Sequence, residues 1–312
     1  MSAQVPSSLV KNRASIDFTI GARRLASVER DLATWSFTLA QALSEPSQRI
    51  EPPSPGRDGW RVLSAPTAHI PSILERFPDH IVGARQDYPR RFVAMDGSFD
   101  DYLARFSSKT RSTLRRKARK LEGEVGASFA ISEHRSPAQI ERFLARALPL
   151  SARTYQARLL NAGLPEDQAA QSEMLALAEA DRIRCFLLEG PDAPIAYLAL
   201  PVRGTTLIYA HLGYDPHWAR FSPGTVLQME ALERLFAEQR FSHFDFTEGD
   251  GAHKALFATD SVCCASFALL SPTLANRALA AGRDAFDASV GAAKAFAQRS
   301  GGLARLRARL RA

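Results

Sequence analysis

The segment from Phe244 to Lys254 reads FDFTEGDGAHK, and it crowds Asp245, Glu248, Asp250, His253 and Lys254 around the end of a short apolar run. Strand alternation sets Asp245 on the face opposite Phe244 and Phe246. Carboxylates and an imidazole can take a proton from an attacking nucleophile. A lysine can hold a substrate anion or a developing oxyanion. Such a cluster at the carboxyl end of a strand is where an open sheet builds a site. A solvated loop closed by an Asp250 helix cap is the competing reading.

A second signal lies upstream. Tyr209-Ala-His-Leu-Gly-Tyr214 reads as a strand, Asp215 to Phe221 as a loop, and Ser222-Pro-Gly-Thr225 as a helix start. Ser222 suits the N-cap, Pro223 suits the first helical position, and Gly224 removes a side chain. The amides of Gly224, Thr225 and Val226 are expected to point outward with the positive end of the helix dipole, and Arg220 adds a cation. A pyrophosphate fits such a place. A well-made helix start with no ligand is the alternative. His211, between Ala210 and Leu212, is either a base or a hydrogen-bonded core residue.

These residues need a scaffold. Apolar spacing predicts a helix over Leu25 to Leu43, a Pro-rich linker over Ser44 to Gly59, and strands at Trp60–Leu63 and Arg91–Met95. One long helix is expected over Asp100 to Glu122, strongly basic from Lys109 on. A strand over Ala127–Glu133 and helices over Pro137–Leu148 and Glu166–Ala180 follow. Strands over Ile183–Glu189, Pro194–Val202 and Thr205–Tyr214 then form a meander. The order closes with a helix over Pro223–Gln239, a strand over His243–Thr247, a helix over Ala252–Ala258 and a strand over Val262–Leu270. A meander followed by a crossing helix and a further strand predicts an α+β fold, a mixed sheet with helices on both faces. The expected divisions are an N-terminal lobe over 1–124, a catalytic domain over 125–270 and an Ala/Arg-rich helical tail over 271–312.

The run from Tyr209 to Phe257 resembles the C-terminal half of the CelD/BcsL-type GNAT acyltransferases, a group linked to cellulose and exopolysaccharide biosynthesis. Ser222-Pro-Gly before a helix, Asp245-Phe246 with Gly249-Asp250, and Lys254 carry the likeness. Phe99 to Leu121, with Arg111, Leu114, Arg115 and Arg116, looks like the opening of that family's acyltransferase domain. The tandem-GNAT FemAB-like aminoacyltransferases are more distantly similar.

The resemblance implies a GNAT fold, acetyl-CoA or a longer acyl-CoA as donor, and transfer to a sugar or amino-acid amine in polysaccharide or envelope metabolism. Residues 1–124 are either a degenerate GNAT-like lobe or an irregular extension. Leu212 and Gly213 would then meet the pantetheine, and Arg220, Phe221, Ser222, Gly224, Thr225 and Val226 the pyrophosphate. Asp245, Glu248 and His211 are the candidate bases. An amide near Leu212 or Gly213 would hold the oxyanion, with Lys254 assisting or binding an anionic acceptor, and Tyr214 would protonate the thiolate. Ser-Pro-Gly replaces the glycine-rich loop usual in GNAT enzymes, which leaves CoA, a carrier protein and tRNA open as the donor's carrier. Two alternatives stand beside the acyl-CoA enzyme: a FemAB-like aminoacyl-tRNA-dependent transferase, and a non-catalytic acyl-CoA-binding or partner module of a polysaccharide synthase complex.

Composition bounds the partners. The formal net charge is +7 and 46% of residues are hydrophobic, which suits a globular chain with polyanionic ligands. The basic stretch Lys109 to Lys120 lacks interleaved aromatics and reads as a solvated face, so nucleic acid other than tRNA is not expected. The Arg-rich tail supports at most a weak peripheral contact with an anionic membrane. The three cysteines match no zinc or disulfide spacing, so no metal is expected. Met1 to Val10 has no charged region before an apolar run, and a cytoplasmic location is expected.

Overall fold

The computed structural model describes residues 13–20, 23–46, 48–154, 163–249 and 251–299. Asp250 and the Leu/Arg tail from Leu303 to Leu310 lie outside them. The chain divides into two units, Met1–Pro89 with Val262–Ala312, and Arg90–Ser261. The boundary expected at 124/125 falls inside the second unit.

In the first unit, strand β1 (Arg13–Ile20) pairs antiparallel with β2 (Arg23–Ser36). β2 runs parallel to β3 (Gly59–Pro66), and β3 runs antiparallel to β11 (Asp260–Leu270). The helix expected over Leu25 to Leu43 is therefore a strand, followed by a single turn, α1 (Leu39–Ala42). The three-and-four spacing coexists with alternation over Ala33, Trp35 and Phe37, all buried, with Thr34 and Ser36 exposed. Pairing on both edges and burial of two aromatics on one face outweigh a weak helical stripe, whose first member, Leu25, is exposed. Trp35, Phe37 and Trp60 form the core against Ile70 and Ile73 of α2 (Ile70–Arg76). α9 (Leu274–Arg299) closes the unit. Among the described residues, no helix is long and apolar enough to cross a membrane.

The second unit holds the residues with chemistry. Its sheet runs β10 (His243–Asp245), β8 (Thr206–Ile208), β7 (Ala196–Arg203), β6 (Ile183–Leu188), β5 (Ile131–His134). The last residues of β4 (Ile81–Ala94) pair antiparallel with β10. Helices α5 (Pro137–Ser151) and α6 (Gln168–Glu179) cover one face, where Phe143, Leu144 and Met174 meet Cys185 and Tyr197. The other face buries Phe186, Leu198 and Phe244 beneath α7 (Pro223–Ala237), with Phe257 of α8 (Ala252–Phe257).

The long helix expected over Asp100 to Glu122 is two, α3 (Phe99–Ala104) and α4 (Ser108–Val125). Ser107 caps α4 by accepting from the Thr110 amide. Arg111 donates to the carbonyls of Ala104 and Phe106, which finishes α3.

Candidate active site

β7 is paired first by β8 and then by β9 (His211–Tyr214), and the ladder slips between them. Val202 faces Leu207, whereas Leu198 faces Leu212 where an unbroken ladder would give it His211. The extra residue lies at Tyr209-Ala210, and the Ala210 amide turns back onto the Ile208 carbonyl at 2.8 Å. This is a β-bulge. The strand expected over Thr205 to Tyr214 is thus two.

The bulge also splits the sheet. β8 runs parallel to β10, and the last link is the Tyr209 amide to the Asp245 carbonyl at 2.9 Å. Beyond it, β9 stays on β7 while the chain after Asp245 departs. The Asp215 amide donates to the Ile195 carbonyl, which puts the backbone groups of His211 and Gly213 in the phase that meets β7. Those of Leu212 and Tyr214 face the fork. Of the two amides proposed for the oxyanion, Leu212 opens on the fork and Gly213 is directed to β7.

Side chains on β9 alternate. Leu212 and Tyr214 lie on the α7 face, and a Cβ on Gly224 would come within 2.9 Å of Leu212 Cδ2. His211 and Gly213 lie on the α5/α6 face, where a Cβ at Gly213 would strike the Tyr197 ring at 2.5 Å. Both glycines are close-packing residues. His211 and Ile208 line a recess of about 300 Å³ with Met174, Leu177 and Ala199, and with Glu173 at its rim.

The start of α7 differs from expectation. Ser222 has φ +56° and makes no side-chain cap. Instead its carbonyl accepts from the amides of Thr225 and Val226 at 3.0 and 3.2 Å. Among the described residues, only the Gly224 amide of the expected three remains at the helix mouth. The positive field there is built by side chains. Arg220 and Lys120 lie over the Phe221 ring at 4.7 and 5.2 Å from its centroid, and Phe221 itself is buried. Arg220 is 70% exposed and reaches Glu124 at 3.3 Å.

Asp245 does not sit as a base. Its side chain is 0% exposed and forms a fork with Arg90, Nη2 to Oδ2 at 2.5 Å and Nε to Oδ1 at 3.2 Å. Oδ1 also accepts from the Thr247 amide at 2.8 Å. A carboxylate so committed has its charge and lone pairs used structurally. Glu248 is exposed, and its carbonyl accepts from the Lys254 ammonium, so these two candidates share the β10–α8 loop. His211 stands apart from them, on the α5/α6 face. Among the described residues, no cluster of three or more His, Cys, Asp or Glu is placed to hold a metal ion.

Two further residues meet at the fork. Gln228 of α7 is fully buried, and its Oε1 accepts from His253 Nε2 at 2.7 Å. The His253 ring stacks against Tyr209, the residue at which β8 and β10 part. Burial, then Lys117 and Lys254, hold the His253 imidazole below its usual pKa. Gln228 reads in sequence as one more polar residue on an amphipathic helix. Its only signal is position, one turn after Gly224 on the buried stripe.

Residues 108–255 match the family profile described as "Acetyltransferase (GNAT) domain". Over those residues the chain carries a GNAT domain, and the mixed sheet flanked by helices in the Arg90–Ser261 unit is the GNAT fold. A search of curated proteins found no match. Three solved structures are among those found similar. FemX is 11% identical, with 68% of this chain and 72% of that chain covered and a TM-score of 0.44. L-PGS from Bacillus licheniformis is 13% identical over 67% and 68%, with a TM-score of 0.43. The C-terminal domain of a candidate lysylphosphatidylglycerol synthetase from Agrobacterium fabrum is 11% identical over 73% and 72%, with a TM-score of 0.48.

Proposed function

We propose that the Arg90–Ser261 unit transfers an acyl group from acyl-CoA to an amine. The observation that carries this is the fork. One arm, β9, offers the backbone groups of Leu212 and Tyr214 to an amide-bearing chain, and the arm leads to the α7 start. There the Gly224 amide, Arg220 and Lys120 suit a pyrophosphate. A pantetheine laid along β9 puts its thioester near Tyr209 and its phosphates near Tyr214. Tyr214 is then a residue of the phosphate end, and the thiolate takes its proton elsewhere.

The acceptor enters from the α6 face, through the recess that holds His211. The amine nitrogen attacks the thioester carbon, the C–S bond breaks, and the nitrogen gives up a proton through His211. The sulfur leaves as a thiolate that is protonated to the thiol. A positioned base contributes about 10²–10⁴-fold. The Leu212 amide is the candidate oxyanion donor. A place in polysaccharide or envelope metabolism is supported by the resemblance of Tyr209–Phe257 to CelD/BcsL-type enzymes.

A thermal-shift series with CoA, acetyl-CoA and longer acyl-CoAs tests the donor. Ligand at about 100 times its dissociation constant stabilises by roughly 2.7 kcal/mol. No shift with any of them overturns the reading. Binding with no turnover on any amine leaves the non-catalytic module instead. One observation favours a tRNA-borne donor. Lys109, Arg115, Arg116, Arg119 and Lys120 are exposed along α4, which packs against α7. Salt-sensitive retention of tRNA on a filter, with no response to CoA, would move the assignment there.

A further inference from the structure

The Gln228 carboxamide is half used. Its Oε1 accepts from His253, yet its Nε2 is buried with no hydrogen-bond partner. A buried donor left unpaired costs about 1–3 kcal/mol, so such groups are rare without a reason. The position supplies one. Gln228 follows Gly224 by one helical turn, and Gly224 packs on Leu212 and Tyr214 of one arm of the fork. His253, which holds Gln228, follows the other arm and stacks on Tyr209 at the apex. The carboxamide is thus framed by residues of both arms.

We propose that the Gln228 carboxamide N–H binds a carbonyl oxygen of the acyl donor at the apex of the fork. His253 is the positioning residue. Its Nε2–H holds Oε1 and so turns Nε2 of Gln228 away from α8. The ligand is an acceptor-only oxygen, either the thioester carbonyl or a pantetheine amide carbonyl. This inference rests on the acyl-CoA reading above. It adds a side-chain contact to the backbone contacts already described for β9.

The test is calorimetric titration of the full chain with acetyl-CoA and with CoA, alongside Gln228→Met. Methionine keeps the length and removes the amide. Losing the bond to His253 is offset by removing an unpaired donor, so the melting temperature moves little. The expected result is about tenfold weaker binding of acetyl-CoA. A loss with acetyl-CoA but not CoA identifies the thioester carbonyl, and equal losses identify a pantetheine amide. Should Gln228→Met fail to fold, Gln228→Leu deletes the N–H without placing a charge or a new donor at the buried position, and the same loss is expected. Wild-type affinity for both ligands in a folded variant overturns the inference while leaving the acyl-CoA reading intact. No binding of either ligand by the wild-type chain overturns the acyl-CoA reading and this inference with it.

Discussion

Replacing Asp245 with Asn separates a structural carboxylate from a catalytic one. The side chains of Arg90 and Asp245 are 6% and 0% exposed and meet in a two-point contact. Two unit charges about 4 Å apart attract by roughly 4 kcal/mol at an effective dielectric of 20. The variant keeps the shape and an oxygen for the Thr247 amide, but removes the carboxylate charge that faces a buried guanidinium. Removing one partner of such a pair costs about 3–5 kcal/mol. For a unit of this size each kcal/mol lowers the melting temperature by about 2–4 °C, so a fall on the order of 10 °C follows. Joint replacement, Arg90→Met with Asp245→Leu, recovers most of that loss because both charges of the pair are removed together. Melting followed by circular dichroism reads the stability, and acyl transfer measured well below both transitions reads the chemistry. Asp245→Asn is expected to melt early and to turn over normally while folded. Wild-type melting with turnover reduced a hundredfold or more would refute this reasoning and return Asp245 to the chemistry.

Three further outcomes are expected. His211→Ala lowers turnover by about 10²–10⁴-fold while acetyl-CoA affinity stays at the wild-type value, and an unchanged rate removes His211 as the base. Gly213→Val drives a branched side chain into the Tyr197 ring and costs about 1–3 kcal/mol in thermal unfolding, whereas a neutral result would mean that the ring yields. His134, His243 and His253 are each held below the usual imidazole value of 6.5, with burial the largest cause. The unfolded chain therefore binds more protons beneath that pH, so stability present above it is lost as pH falls through the window below 6.5. The melting temperature should drop from pH 7.5 to 5.5, and a rise over that interval would contradict the assignment.

The α+β order and the strand–loop–helix run into α7 were legible because their signals are local. Pro at a helix start and long apolar runs each speak for a few residues at a time. What was illegible depended on partners distant in sequence. β2 carries a helical stripe, and only its pairing with β1 and β3 decides for a strand. Asp245 looks like a base until Arg90 is brought beside it across β4. Ser222 has the composition of an N-cap, but its left-handed backbone offers a carbonyl to the Thr225 and Val226 amides in place of the side chain. The slip at Tyr209-Ala210 has no composition of its own, and it appears only as a change in which residue of β7 each residue of β9 faces. Gln228 is an ordinary polar residue in sequence and His253 one member of a polar cluster, and the two gain a joint role from one contact of 2.7 Å.

The slip at Tyr209-Ala210 acts as a parity switch. In a continuous strand, residues three apart point to opposite faces, yet Ile208 and His211 line the same recess. One surplus residue inverts the sense of everything downstream of it. A chain shortened by Ala210 alone would keep every chemical group and exchange the two sets, sending the imidazole toward the hydrophobic bed of α7 and Leu212 toward α6. Point substitutions grade the properties of this centre, but its handedness is counted in whole residues. Length variation between Ile208 and His211 is therefore the sequence change with the largest consequence for which face of the sheet carries the imidazole.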